Sequence, residues 1–299
     1  MGASQPALQD EPVAIRVGSV TAVAWPAQLK LAAELARRAA DTTEWPGLGR
    51  LAPGPLRIIV VPDARRLDSL TSGRSPGWGA AVALPGSRTI LLRADLGDVF
   101  RTLRHELAHL VLHQAVPVRV PLWFAEGYAA WAAGEWERLG ALDLNLAVVR
   151  GAVPSLDELN AALRGSESTA DAAYALAATA VIELARRHPS KSLQPLMKRL
   201  GAGQNFDDVV QATTGLTLGQ FERAWRLSLR RRYSLITWLL AGGGWATLAL
   251  ALWLLVRRRR ALDQPRRAAL DEGWVVPPEE PATSAEDPSP PELDRTRER

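Results

Sequence analysis

Three of the chain's four histidines lie between positions 105 and 113, and two of them bracket a glutamate in His105-Glu106-Leu107-Ala108-His109. This is the H-E-x-x-H pattern of a helical zinc site. On a helix, positions i and i+4 share a face, so His105 and His109 can offer two imidazoles to one cation. Glu106 projects roughly a quarter-turn away, near enough to hold the metal's water without being a ligand. A chance H-E-x-x-H arises in on the order of one per cent of chains this long, so the motif requires a third ligand to carry weight.

The stretch from Pro121 to Trp131 supplies one, because it reads as a mostly apolar helix carrying a single carboxylate, Glu126. An ionised glutamate buried among Trp123, Phe124 and Trp131 is costly alone, and a divalent metal compensates its charge. The competing reading is an interhelical salt bridge to an arginine. Gly127 beside it has no side chain, which is expected to let this helix pack close to the histidine helix. Two histidines, a glutamate and a water complete a tetrahedral zinc site with one exchangeable position. His113 continues the i+4 series, but three histidines one turn apart would strain a tetrahedron, so it is expected behind the ligands or at the surface. His188 beside Pro189 reads as a helix C-cap.

Taken together, these residues resemble a gluzincin metallopeptidase, and specifically the small peptidase MA-like domains. The resemblance runs from about Leu56 to Leu229. Its markers are Ile58 to Asp63, the glycine-bounded strand Gly77 to Leu84, the H-E-L-A-H helix, and Leu122-Trp123-Phe124-Ala125-Glu126-Gly127. Downstream stand Ala173-Tyr174-Ala175-Leu176-Ala177, Gly201 to Asp208, Gly215-Leu216 and Phe221-Glu222-Arg223-Ala224-Trp225.

The resemblance implies that His105, His109 and Glu126 are zinc ligands and that Glu106 is the general base for attack of a metal-activated water on a peptide bond. It implies, on a weaker match, that Tyr174 is the phenol holding the oxyanion. It also implies that Gly79 to Leu84 is the edge that pairs with extended substrate backbone. Two departures stand out. The interval from His109 to Glu126 is short, and Ala130 occupies the position where thermolysin-like enzymes carry an aspartate behind a ligand histidine. The carboxylate that orients a ligand histidine is thus not identified from sequence. Two function classes follow: a membrane-anchored zinc peptidase with a peptide or protein substrate, and a non-catalytic binding or scaffold domain of the same fold.

The elements that must position these residues follow from periodicity. The zinc helix is supported by Val99, Leu103, Leu107 and Leu110 at 3.6-residue spacing, opposite the histidines, while Ala108 and Leu112 imply that the histidine face is itself covered. Val13 to Ala24 alternates like paired strands, Pro26 to Ala40 is an amphipathic helix, and Leu56 to Val61 and Thr89 to Arg93 are strands. Helices are expected near 98–115, 122–138, 141–150, 155–163, 170–187, 191–200, 205–213 and 217–232. The fold class is α+β, a small N-terminal sheet lobe followed by a mainly helical lobe, with the metal between them. Domain boundaries are expected at a flexible 1–12, a peptidase domain 13–232, a span 235–256 and a disordered tail 257–299.

The span rests on Leu235 to Val256, an uncharged apolar run with Trp238 and Trp253 near its ends and four arginines, Arg257 to Arg260, after it. It reads as a transmembrane helix in contact with a lipid bilayer, and large domains are translocated regardless of flanking charge, so the peptidase domain is expected outside the cytoplasm. That orientation requires a secretion signal, and Met1 to Glu11 has no apolar core; the alternative is a tail-anchored cytoplasmic domain. The net charge of +4 brings no nucleic-acid motif and gathers around the apolar run, so lipid headgroups rather than nucleic acid are its expected partner. The chain has no cysteine, which excludes disulfides and thiolate ligands.

Overall fold

The computed structural model describes residues 11–72, 79–135, 153–165, 167–232 and 243–272. The chain divides into two compact units, Met1–Leu240 and Ala241–Arg299.

In the first unit, β1 (Val13–Val17) and β2 (Val20–Ala24) form an antiparallel hairpin whose turn places Gly18 at φ 57. A 3-10 turn opened by Pro26 leads into α1 (Leu29–Asp41), which buries Ala32, Leu35, Ala36 and Ala39 on one stripe. A two-residue ladder, β3 (Glu44–Trp45) with β4 (Gly49–Arg50), precedes β5 (Leu56–Val61). Then come α2 (Ala64–Thr71), β6 (Ala81–Leu84) and β7 (Thr89–Arg93).

The five-stranded sheet has the order β1-β2-β5-β7-β6. Its middle strands β2, β5 and β7 are parallel, and both edges are antiparallel. Parallel strands need cover on both faces, which explains the near-continuous apolar runs of β5 and β7. Ile58, Val60, Ile90 and Leu92 enter the main core, whereas Val61 and Leu91 meet Leu67 of α2 in a separate small cluster. The sequence reading did not anticipate α2, since Arg65, Arg66 and Asp68 leave Leu67 as its one buried residue.

The helical part follows as α3 (Val99–Ala115), α4 (Leu122–Ala133), α5 (Leu156–Ala162), α6 (Glu167–Arg187), α7 (Gln194–Gly201), α8 (Phe206–Thr214) and α9 (Leu218–Arg232). The α+β class and all of these helices agree with expectation. The expected helix near 141–150 lies outside the described residues, and the one expected over 122–138 ends at Ala133, where Gly134 turns left-handed at φ 72. Around α4, Trp123 and Phe124 pack edge-on to Phe206 and Trp123 stacks on Phe221. Trp225 donates from its indole to the Thr179 hydroxyl at 3.1 Å, tying α9 to α6.

The second unit corrects the membrane expectation. Its helix, α10 (Gly244–Glu272), begins well inside the apolar run, and 233–242 lie outside the described residues. Only residues 244–256 of the run precede Arg257 to Arg260 in that helix, a rise of about 20 Å against the roughly 30 Å of a hydrocarbon core. Among the described residues, no helix is long and apolar enough to cross a membrane. The transmembrane helix expected over 235–256, and with it the expected bilayer contact, is thus not supported among the described residues.

Candidate metal centre and active site

The histidine helix is fixed at its start by the Asp98 side chain, which accepts from the Arg101 backbone N–H at 3.2 Å. Leu103, Leu107, Leu110 and Val111 are buried, and so are His105, Glu106 and Ala108, so α3 is enclosed on nearly every side. It packs against β6 and β7 on one side and α4 on another. The start of α4 has no side-chain cap of its own at Pro121; instead the Asn160 side chain of α5 accepts from the Trp123 backbone N–H at 2.9 Å.

These supports bring three donor atoms together. His105 Nε2 and His109 Nε2 are 3.2 Å apart, and Glu126 Oε2 lies 3.4 Å from the first and 3.3 Å from the second. Two histidines one turn apart and a carboxylate from the neighbouring helix thus form an almost equilateral triangle. Ligands at about 2.0–2.1 Å from a tetrahedral ion are spaced about 3.3–3.4 Å from one another, so this donor set fits such a metal.

Charges in the site reinforce one another. Burial works against ionisation of Glu126, but both imidazoles outweigh it and hold its carboxyl well below the usual range. Burial likewise opposes the His105 imidazolium, yet Glu135, Glu126 and Glu106 together raise its pKa well above the ordinary histidine value. Glu106 is the exception. Burial pushes its carboxyl up, aided by Glu126, while the imidazoles and the backbone N–H of Ala83 pull it part of the way back.

All five residues singled out from sequence meet at one place. His105, Glu106, His109, Glu126 and Tyr174 line a single cleft of about 500 Å³. The Tyr174 ring, on α6, stands edge-on to His105 with centroids 5.9 Å apart. His113, exposed, also lines the cleft, as does Arg119. His188 lies elsewhere, at the end of α6, where its Nδ1 meets the Ser190 hydroxyl at 2.7 Å.

The opposite wall is β6, an edge strand with Ala81 and Ala83 in the lining. Arg93 donates its backbone N–H to Ala80 at 2.9 Å, which fixes the alternation of the antiparallel pair. Val82 and Leu84 therefore spend their backbone groups on β7, while those of Ala81 and Ala83 face away from it, toward the cleft. Residues 77 and 78 of the expected strand lie outside the described residues.

The sequence reading missed Glu135 and misplaced the partner of Gly127. Glu135 follows the left-handed Gly134 and its Oε2 lies 3.1 Å from His105 Nδ1. No periodic signal marks a residue that gains its position by a turn, although the glycine one position earlier is the cue for it. Gly127 is needed against α6 rather than the histidine helix, since a Cβ there would overlap the Ala177 carbonyl.

Comparison with known proteins agrees with this geometry. Residues 54–231 match the family model described as the Peptidase MA superfamily, which covers more than half of the chain. No curated protein matches it.

Proposed function

We propose, from the premise that the chain belongs to the Peptidase MA superfamily, that it is a zinc-dependent peptidase hydrolysing peptide bonds with Glu106 as general base. The observation that carries this reading is the triangle of His105 Nε2, His109 Nε2 and Glu126 Oε2, with a buried Glu106 beside it that belongs to neither ligand pair. His105, His109 and Glu126 would hold zinc, which supplies Lewis-acid polarisation of the scissile carbonyl and of the attacking water.

The chain's own residues supply the rest. Glu106 accepts the proton of the attacking water at its carboxylate and later delivers it to the leaving amine; its raised pKa brings it nearer the working range of a proton carrier. The backbone groups of Ala81 and the carbonyl of Ala83, whose N–H is taken by Glu106, pair with an extended peptide, which sets the scissile bond between β6 and α3. Tyr174, on the facing helix, donates its phenol to the oxygen that gains charge. The non-catalytic alternative drew on Ala130 standing where an acid was wanted and on the weak match of Tyr174. Glu135 beside His105 Nδ1 supplies an acid in another place, which speaks against the first of these.

Metal analysis of purified protein beside a peptide-library assay of wild type and Glu106→Gln tests the reading. Expected are one zinc per chain in both proteins and a loss of turnover of at least about 10²-fold in the variant. Absence of zinc from the wild type, or cleavage indifferent to Glu106, would overturn it.

A further inference from the structure

Glu135 stands apart from the helix periodicities that deliver the other site residues. α4 ends at Ala133, and Gly134 reverses the chain at φ 72 with no atom within 4 Å of where a Cβ would sit, so glycine is required there by conformation alone. The turn is held from the histidine helix. Arg104, adjacent to His105, donates through Nε to the Ala132 carbonyl and reaches the Glu44 carbonyl at 3.2 Å, with its guanidinium over the Trp45 ring. The helix end and the first ligand are therefore clasped by neighbouring residues of one segment, and Glu135 Oε2 comes to 3.1 Å from His105 Nδ1.

A carboxylate on Nδ1 fixes its proton there, which leaves the Nε2 lone pair facing His109 and Glu126. We infer that Glu135 is the positioning residue of the metal centre, setting the tautomer and ring orientation of His105, and that the Gly134 turn with its Arg104 clasp is the device that delivers it. The carboxylate comes from nine positions beyond Glu126 and outside the helix, in place of the position four residues on, which Ala130 occupies. This rests on the metallopeptidase reading above.

The test is zinc affinity of the full chain, read by competition with a chromophoric chelator, together with imidazole ¹⁵N shifts of His105 in the metal-free protein at alkaline pH, where the ring is neutral. Glu135→Ala is expected to weaken zinc about 10–100-fold and to lose the single Nδ1–H signature, with Glu135→Gln, which keeps an acceptor but not the charge, falling between. Gly134→Ala changes no site side chain itself and, by straining the turn that delivers Glu135, is expected to reproduce part of the loss. A merely structural Glu135 would alter melting without changing either readout. Wild-type affinity in Glu135→Ala overturns the inference while leaving the peptidase reading intact; wild-type affinity in Gly134→Ala overturns the delivery device; a wild type that binds no zinc overturns both proposals together.

Discussion

Gly127 and Ala177 meet where α4 crosses α6, and the backbones are so close that a methyl group has no room between them. Glu126 is the residue before this crossing, so the depth at which the third donor sits is set by how closely two helices approach. Gly127→Ala must push them apart against an obstacle that is backbone and cannot rotate away. Expected is a loss of about 1–3 kcal/mol, or roughly 2–4 °C in melting temperature for each, because overpacking a filled core is costly. Zinc affinity should fall as well, since Glu126 moves with the helix; calorimetric melts with and without zinc measure both effects.

Tyr128 lies one residue further on and has the opposite character. Its hydroxyl is fully buried and finds no hydrogen-bond partner among the described residues, and burial pushes the phenol above its ordinary pKa. The ring itself stacks on Phe124, so it is the aromatic body rather than the oxygen that belongs in this core. Tyr128→Phe is expected to be neutral or to stabilise by about 1 kcal/mol, because an unsatisfied polar group is removed with little change of shape. A destabilised variant in denaturant titration would reveal a partner for that oxygen.

Tyr174 separates the two kinds of tyrosine. It is half-buried in the cleft wall with its ring against His105. Tyr174→Phe is expected to keep the ring packing and zinc affinity while lowering kcat about 10²–10³-fold, as for loss of one oxyanion donor. Steady-state kinetics on a cleaved peptide, with zinc content measured in parallel, decide it. An unchanged kcat would remove Tyr174 from the chemistry and leave it as cleft wall.

The difference between these neighbours marks how far sequence alone reaches. β5 and β7 are legible because doubly covered parallel strands are nearly continuous apolar runs, and α3 is legible because its apolar stripe and its histidines each repeat at a helical period. The ligand triad could be assembled for the same reason: each member is fixed by its place on a helix. What escaped is fixed otherwise. Glu135 depends on a left-handed turn, the partner of Gly127 on which of two helices crosses there, and α2 on a single buried leucine. The apolar run 235–256 fails in the other direction, since among the described residues only 244–256 of it stand ahead of the arginines in a helix, too few to cross a membrane.

The acid–base behaviour of His105 gives a prediction whose sign depends on the metal. In the metal-free protein, burial disfavours its charged form but the carboxylates of Glu135, Glu126 and Glu106 prevail, so its folded pKa is raised well above the unfolded value of about 6.5. Stability from this group is then fully present below the unfolded pKa and is lost as pH rises through the folded one. Metal-free protein is expected to melt progressively lower as pH is raised from about 6 toward 9. Zinc reverses the trend, because coordination needs the neutral imidazole and must displace that proton, so its stabilising effect grows with pH. Thermal melts in chelator and in excess zinc across this range measure the two slopes, and slopes of the same sign would mean that His105 does not exchange its proton for the metal.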